Sequence, residues 1–230
     1  MDFNRYSEIT DKFPREILLL KGLPCAYGKC TFCDYTLDNE TDINTINSVN
    51  KEVLKKVTGK YKRLEIINSG NVFELPKETI ELIKQIVKDK DIEEIFFESH
   101  WIYRNRLENL RKQFDIPIIF KTGLETFDYN FRENILSKGF KTKDNLEIKK
   151  YFDSVCLLVG IKGQTKEMIR NDIKIASEIF EHFTVNLYIN NSTSIKADPE
   201  LQKWFYEEFN YLSDFKKCEV LWHNTDFGVG

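Results

Sequence analysis

Three cysteines fall within nine positions of this 230-residue chain: Cys25, Cys30 and Cys33, in the stretch GLPCAYGKCTFCDY (22–35), spaced C-x4-C-x2-C. Thiolates are soft ligands, and three on one loop form a donor set for zinc or for an iron–sulfur centre. A structural zinc asks for four closed ligands, usually from two paired knuckles, and only one Cys-x2-Cys knuckle is present. The same spacing occurs in plant-type two-iron centres, whose fourth ligand would here have to be Cys156 or Cys218. Cys156 lies inside the apolar run SVCLLVG, which reads as a core strand. Without any metal, three thiols in one Gly/Pro/Lys-containing loop would be open to oxidation. A four-iron cluster on three thiolates leaves one iron with an open position for a small molecule, and open positions are what catalytic metal sites keep.

The totals narrow the setting. Lys and Arg number 34 against 37 Asp and Glu, a net charge of -3, so the excess of positive charge that binds extended nucleic acid is lacking. A small nucleobase remains compatible. No run of eighteen apolar residues predicts a membrane span, and MDFNRYSEITDKF lacks the apolar centre of a secretion signal. The expectation is a cytoplasmic protein, where five cysteines serve as thiols or ligands rather than as disulfides.

Something must position the cysteine loop, and the chain alternates short β-rich runs with amphipathic stretches. Strands are expected at 15–22, 62–71, 92–101, 116–125, 154–163, 183–192 and 216–224. Helices are expected at 48–61, 76–90, 104–114, from near Asp128, at 164–183 and at 197–212, the last with Asp198 as N-cap and Pro199 next. This rhythm implies an α/β fold with parallel strands, a partial (β/α)6 TIM-like barrel, since eight closed units typically need about 250 residues. No linker composition divides the chain, so residues 1–230 are read as one domain, with a core at 16–192 and a C-terminal helix, strand and tail at 193–230.

Ligands of such sheets sit at the carboxyl ends of the strands. Polar residues collect there: Cys25, then Asn68, Ser69, Gly70 and Asn71, then Ser99 and His100, then Glu125 and Thr126, Lys162 to Gln164, Asn190 and Asn191, and His223 and Asn224. Glu98, Glu125 and Asp226 supply carboxylates, and Asn186, Tyr188 and Asn190 alternate along one strand face, which points to a polar lumen. Duller readings stand beside these. Glu98 could cap a helix or pair with Arg104, and His100 could be a structural hydrogen bonder. His223 and Asp226 could belong to a frayed tail. His182 reads as a surface residue at a helix end, and KGFKTKDNLEIKK (138–150) as an exposed loop or helix.

At the cysteine loop the chain resembles the radical S-adenosylmethionine superfamily, with one more residue between the first two cysteines than the usual C-x3-C-x2-C, and with Phe32 at the aromatic position before the third. NSGN (68–71) stands where that superfamily has a Gly-Gly-Glu motif, without the Glu; KTGLETFD (121–128) and VGIKGQTKE (159–167) resemble its ribose- and adenine-side segments. The resemblance implies a [4Fe–4S] cluster on Cys25, Cys30 and Cys33. It also implies S-adenosylmethionine near Phe32, Asn68, Ser69, Gly70, Asn71, Lys121, Thr122, Glu125, Gly160, Ile161 and Gly163. A flavodoxin or ferredoxin would be the electron donor and a 5′-deoxyadenosyl radical the hydrogen-abstracting agent. The short length, CAYGKCTFCDY and ESHWIYRN are similar to queuine lyases within it, which implies C–N cleavage of queuine to a 7-deazaguanine amine. Glu98, His100, Asn186, Tyr188, Asn190, His223 and Asp226 are then the residues expected around a nucleobase-like substrate: a guanine-type edge offers N–H donors to a carboxylate, and a diol needs polar partners. Another small-molecule radical reaction, a rearrangement or an epimerisation, is the alternative within the superfamily. An iron–sulfur electron carrier or sensor is the alternative outside it.

Overall fold

The computed structural model describes residues 3–223 and 225–230; Asn224, placed above among the polar residues at strand ends, lies outside them. Eight strands follow one another across the sheet in chain order. They are β1 (Tyr6–Ile9), β2 (Arg15–Leu20), β3 (Arg63–Asn68), β4 (Glu94–Glu98), β5 (Ile118–Glu125), β6 (Ser154–Val159), β7 (His182–Leu187) and β8 (Cys218–Leu221). Pairing is parallel from β2 to β4 and from β5 to β8, as the βα rhythm requires. The α/β class with parallel strands in sequential order agrees with the expected partial TIM-like barrel. Strand β1 is an addition. It pairs antiparallel with β2, and its short Tyr-Ser-Glu-Ile run carries too little periodicity to be read from sequence.

The helices are α1 (Ile43–Leu54), α2 (Lys77–Asp89), α3 (Leu107–Arg111), α4 (Asn145–Tyr151), α5 (Lys166–Ile179) and α6 (Pro199–Phe209). Several start where a side chain caps the orphan N–H groups: Asp42 for α1, Thr165 for α5, and Asp198 for α6 with Pro199 following, as expected. Helix α1 begins five residues before the expected start, because Asp42 supplies its cap and Ile46 its first buried contact. Between β5 and α4 the chain makes one π-helical turn, Phe131–Ile135, instead of the expected regular helix.

Two compact units make up the described chain. The first comprises residues 3–28, Tyr35–Phe120 and Phe227–Gly230. In it Val229 packs with Ile9 and Ile17, and the backbones of Asn4 and Gly230 bond to each other in both directions, so the last residues are tied to the first strand. Arg15 is fully buried, ion-paired to Glu65 at 2.5 Å. The second comprises Lys29–Asp34 and Lys121–Asp226. There the register Ser154↔His182 and Thr184↔Glu219 puts Ser154, Cys156, His182, Thr184, Asn186 and Glu219 on one sheet face; Val155, Leu157, Phe183 and Val185 take the apolar other face, with α5 packed against both strands. Among the described residues no helix is long and apolar enough to cross a membrane.

Candidate functional site

The loop leaving β2 carries all three cysteines, and none of the five cysteines forms a disulfide. Cys25 belongs to the first unit, Cys30 and Cys33 to the second. Among the described residues no three His, Cys, Asp or Glu side chains converge on one point as a single-ion cage would.

In the first unit the segment after β3 lies against Cys25. A side chain at Gly70 would touch Cα and Cβ of Cys25 at an ordinary 3.5 Å and crowd Glu74 Oε2 at 3.0 Å, so this turn runs close against the cysteine loop. Asn71 and Glu74 form a reciprocal capping box around the turn Val72–Glu74: Asn71 Oδ1 accepts from the Phe73 N–H at 3.1 Å, and Glu74 Oε2 from the Asn71 N–H at 2.8 Å. The other oxygen of Glu74 accepts from the Ala26 N–H and from the Tyr103 hydroxyl, both at 3.1 Å. One buried carboxylate thus ties the cysteine loop to the NSGN turn. Burial holds the Glu74 carboxyl above its ordinary range despite these donors, and burial with the neighbouring Glu74 charge pushes Tyr103 up to about 12. Among the described residues the buried Asn71 amide nitrogen completes no hydrogen bond of good geometry, although it lies near the Glu74 carboxylate and helps to hold that group ionised. Asn68 donates to the Asn71 carbonyl and Ser69 to Asn39 Oδ1. His100 caps the turn Trp101–Arg106 by accepting from the Ile102 N–H, and its ring stacks on Tyr27 of the cysteine loop with centroids 4.2 Å apart. Glu98 ends β4, half-buried. Arg104, offered above as its partner, lies over the Trp101 ring and donates to the Trp101 carbonyl.

In the second unit Cys30 and Cys33 pack on a cluster of Phe32, Phe131, Leu136, Leu158, Ile161 and Tyr188. The backbone of Thr31 bonds to Leu136, its hydroxyl to the Ile135 carbonyl, and Asn191 Nδ2 holds the Phe32 carbonyl at 2.7 Å. Asp34 accepts from Asn191 and from the Ser192 N–H and hydroxyl. Tyr188 is buried, its hydroxyl donating to Asn191 and to the Ile195 carbonyl. Asn190 is exposed and accepts from the Ala197 N–H. Asn186 has a buried carbonyl oxygen without a partner. Gly160, at φ 84°, and Ile161 enter a turn shaped by Gln164, whose side chain accepts from the Ile161 N–H and donates to the Leu158 carbonyl. Gly163 also has a positive φ. Lys121 and Thr122 sit within β5, opposite Ser154 and Val155 at the start of β6, with the Thr122 hydroxyl buried and unpartnered. His223 and Asp226 are exposed and form a turn through the His223 N–H and Asp226 Oδ2.

Two expectations are corrected here. His182 is no surface helix end. It opens β7, 5% exposed, bonded to Ser154 Oγ and to Glu219 Oε2 at 2.7 Å each, because α5 ends at Ile179 and the strand starts one residue earlier than expected. Lys138, placed above in an exposed charged segment, is 6% exposed and ion-paired to Glu125 at 3.1 Å; Phe140 and Ile148 of that segment are buried too. Glu74 has a readable signal, since Asn-x-x-Glu is a capping-box pattern. Lys138 has none, because nothing local distinguishes it from the lysines at 141 and 143.

No protein-family model matches the chain. An uncharacterized protein of Methanocaldococcus jannaschii is 27% identical over 194 residues, which are 71% of this chain and 52% of that protein. The chain spans about half the length of the curated relatives it matches. Streptococcus suis SuiB shares the fold alone, with 15% identity and a TM-score of 0.58 over 89% of this chain and 48% of its own. A queuine lyase from Clostridium spiroforme, solved with S-adenosylmethionine and queuine bound, is 51% identical, with a TM-score of 0.98 and complete coverage of both chains. With that likeness added to the three-cysteine loop on its parallel α/β sheet, the chain belongs to the queuine lyase family of the radical S-adenosylmethionine superfamily.

Proposed function

We propose that this chain is a radical S-adenosylmethionine lyase that cleaves the C–N bond of queuine and releases a 7-deazaguanine amine. The observation that carries the reading is the full-length likeness to the queuine lyase solved with both molecules bound. The residues present fit the groups the family implies. Three thiols with no carboxylate or imidazole among them make a soft donor set suited to iron–sulfur ligation. The buried amide nitrogen of Asn71 suits a carboxylate, and the close approach at Gly70 leaves backbone free to meet a ligand beside Cys25.

In this reading Cys25, Cys30 and Cys33 hold the [4Fe–4S] cluster. The segments at Asn68–Asn71, Glu125 and Gly160–Gly163 bind S-adenosylmethionine, with Phe32 beside it. When bound, this pair supplies 5′-deoxyadenosyl radical chemistry. The protein's part is to hold, orient and exclude water. Glu74 fixes the Cys25 end of the loop through the Ala26 N–H, and Asn191 fixes the Cys33 end through the Phe32 carbonyl. The apolar cluster under Cys30 and Cys33 keeps water from that side. Glu98 accepts N–H donors of the base edge, and the free oxygen of Asn186 accepts from a substrate hydroxyl or amine. His100, Tyr188, Asn190, His223 and Asp226 support these contacts or the loops that carry them. The enzyme acts in the cytoplasm and takes its electron from a flavodoxin or ferredoxin.

Anaerobic reconstitution is expected to load about four irons and four sulfides per chain. Dithionite and S-adenosylmethionine then yield 5′-deoxyadenosine, and added queuine yields the deazaguanine amine by mass spectrometry. Cys30→Ala abolishes both products of the test. Full deoxyadenosine formation in that variant, or an intact queuine signal with the loaded wild type, refutes the reading. A loaded protein that makes no deoxyadenosine is an electron carrier.

A further inference from the structure

Glu125 ends β5 in a conformation few side chains adopt, φ 70°, at a register shift where the ladder to β6 slips between Gly123 and Glu125. Its side chain folds back over Gly123: a Cβ there would lie 2.5 Å from Glu125 Oε1 and 3.4 Å from Lys138 Nζ. That oxygen accepts from Lys138 Nζ at 3.1 Å, and the ammonium also lies 5.5 Å from the centre of the Phe32 ring. A strained backbone, a glycine that only vacates space and a buried ion pair therefore converge on one lysine between two cysteines' neighbour, Phe32, and the end of β5. Burying an ammonium is costly, and structures retain such groups where the charge is used. Burial alone would favour the neutral amine; the Glu125 carboxylate at 3.1 Å opposes it and holds the ammonium charged.

We propose that Lys138 is a fixed cation set beside the Cys30 and Cys33 side of the iron–sulfur site, with Glu125 as its positioning residue, and that it eases one-electron reduction of the cluster. The inference rests on the reading that these cysteines hold a [4Fe–4S] cluster. The physics is direct. Reduction adds one negative charge to the cluster, and a nearby cation in a poorly solvated wall stabilises the reduced form more than the oxidised one. Glu125 opposes part of that field while holding the cation in place.

The test is the midpoint potential of the reconstituted protein, followed by electron paramagnetic resonance with neither cosubstrate nor substrate present. Lys138→Met removes the charge and keeps the length of the chain; the equilibrium constant for reduction is expected to fall about tenfold or more, about 59 mV downward for one electron. Glu125→Gln keeps an acceptor for Lys138 and removes the opposing charge, so the potential is expected to move upward. A purely structural pair would shift neither potential, or both in the same direction, and either result overturns the inference. So does an unmoved potential with weakened S-adenosylmethionine binding, which would assign the lysine to the ligand's carboxylate. If Lys138→Met loads no cluster, the sign of the Glu125→Gln shift decides. A wild type that loads no cluster refutes the reading of the site itself along with the inference, whereas a loaded wild type with unshifted variants refutes the inference alone.

Discussion

Asp172 offers a prediction whose sign and size follow from its surroundings. It lies on the buried face of α5 with Ile169, Ile173 and Ala176, and its Oδ1 accepts from the Phe127 N–H at 2.7 Å, two residues beyond Glu125. Burial, against weaker help from Thr126 and Phe127, pushes its carboxyl from an ordinary 3.8 up to about 7. Between those values the folded protein holds a proton that the unfolded chain has lost, so raising the pH favours unfolding. At about 1.36 kcal/mol per pH unit the whole interval amounts to about 4 kcal/mol, of which about 2.6 kcal/mol falls between pH 5 and 8. Stability tied to this group is complete below pH 3.8 and is lost as pH climbs to about 7. Asp172→Asn keeps an acceptor for the Phe127 N–H and cannot ionise. Urea unfolding of both proteins at pH 5 and pH 8 measures the effect: the stability of the wild type relative to the variant is expected to drop by about 2.6 kcal/mol across that range. Parallel behaviour of the two proteins, or a wild type that gains on the variant as pH rises, would refute the reasoning, because no other group is changed.

Two further outcomes are expected. Asn71→Asp retains the oxygen that caps Phe73 but turns the amide donor into an acceptor, so the dissociation constant for S-adenosylmethionine on the cluster-loaded protein should rise tenfold or more, alongside a lowered thermal midpoint from the second carboxylate beside Glu74; an unchanged constant would mean that this nitrogen does not meet the ligand. His182→Phe fills a similar volume but takes away the hydrogen bonds to Ser154 and Glu219, and should cost about 3 kcal/mol in urea unfolding, while Glu219→Gln, which keeps a polar partner for the imidazole, should cost less; a His182→Phe protein as stable as the wild type would show that the imidazole acts only as packing.

Much of the fold was readable because parallel βα units announce themselves by period and by run length. The apolar runs at Arg15–Leu20 and Ser154–Val159 are strands, and the N-cap Asp198 followed by Pro199 starts α6 as expected. Boundaries slipped where the deciding contact is a side chain rather than a pattern, as at Asp42, or where one polar residue looks like a helix end and is in fact buried, as at His182. The segment following β5 was the poorest guide. Its lysines look alike in sequence, and only folding selects Lys138 for burial against Glu125 while Lys141 and Lys143 stay outside.

The chemistry of the donors was written in residue type and spacing. Three cysteines spaced over nine positions at the end of the first parallel strand are a local, covalent fact, and their softness as ligands follows from element type alone. Folding set the electrostatic and hydrogen-bonding frame: Glu74 reaching the Ala26 N–H, Lys138 caught between Glu125 and Phe32, and, within the sheet, His182 bridging Ser154 and Glu219. Each of these joins residues at least 13 positions apart, and the energy of a buried charge depends on what surrounds it, which no local window of sequence contains.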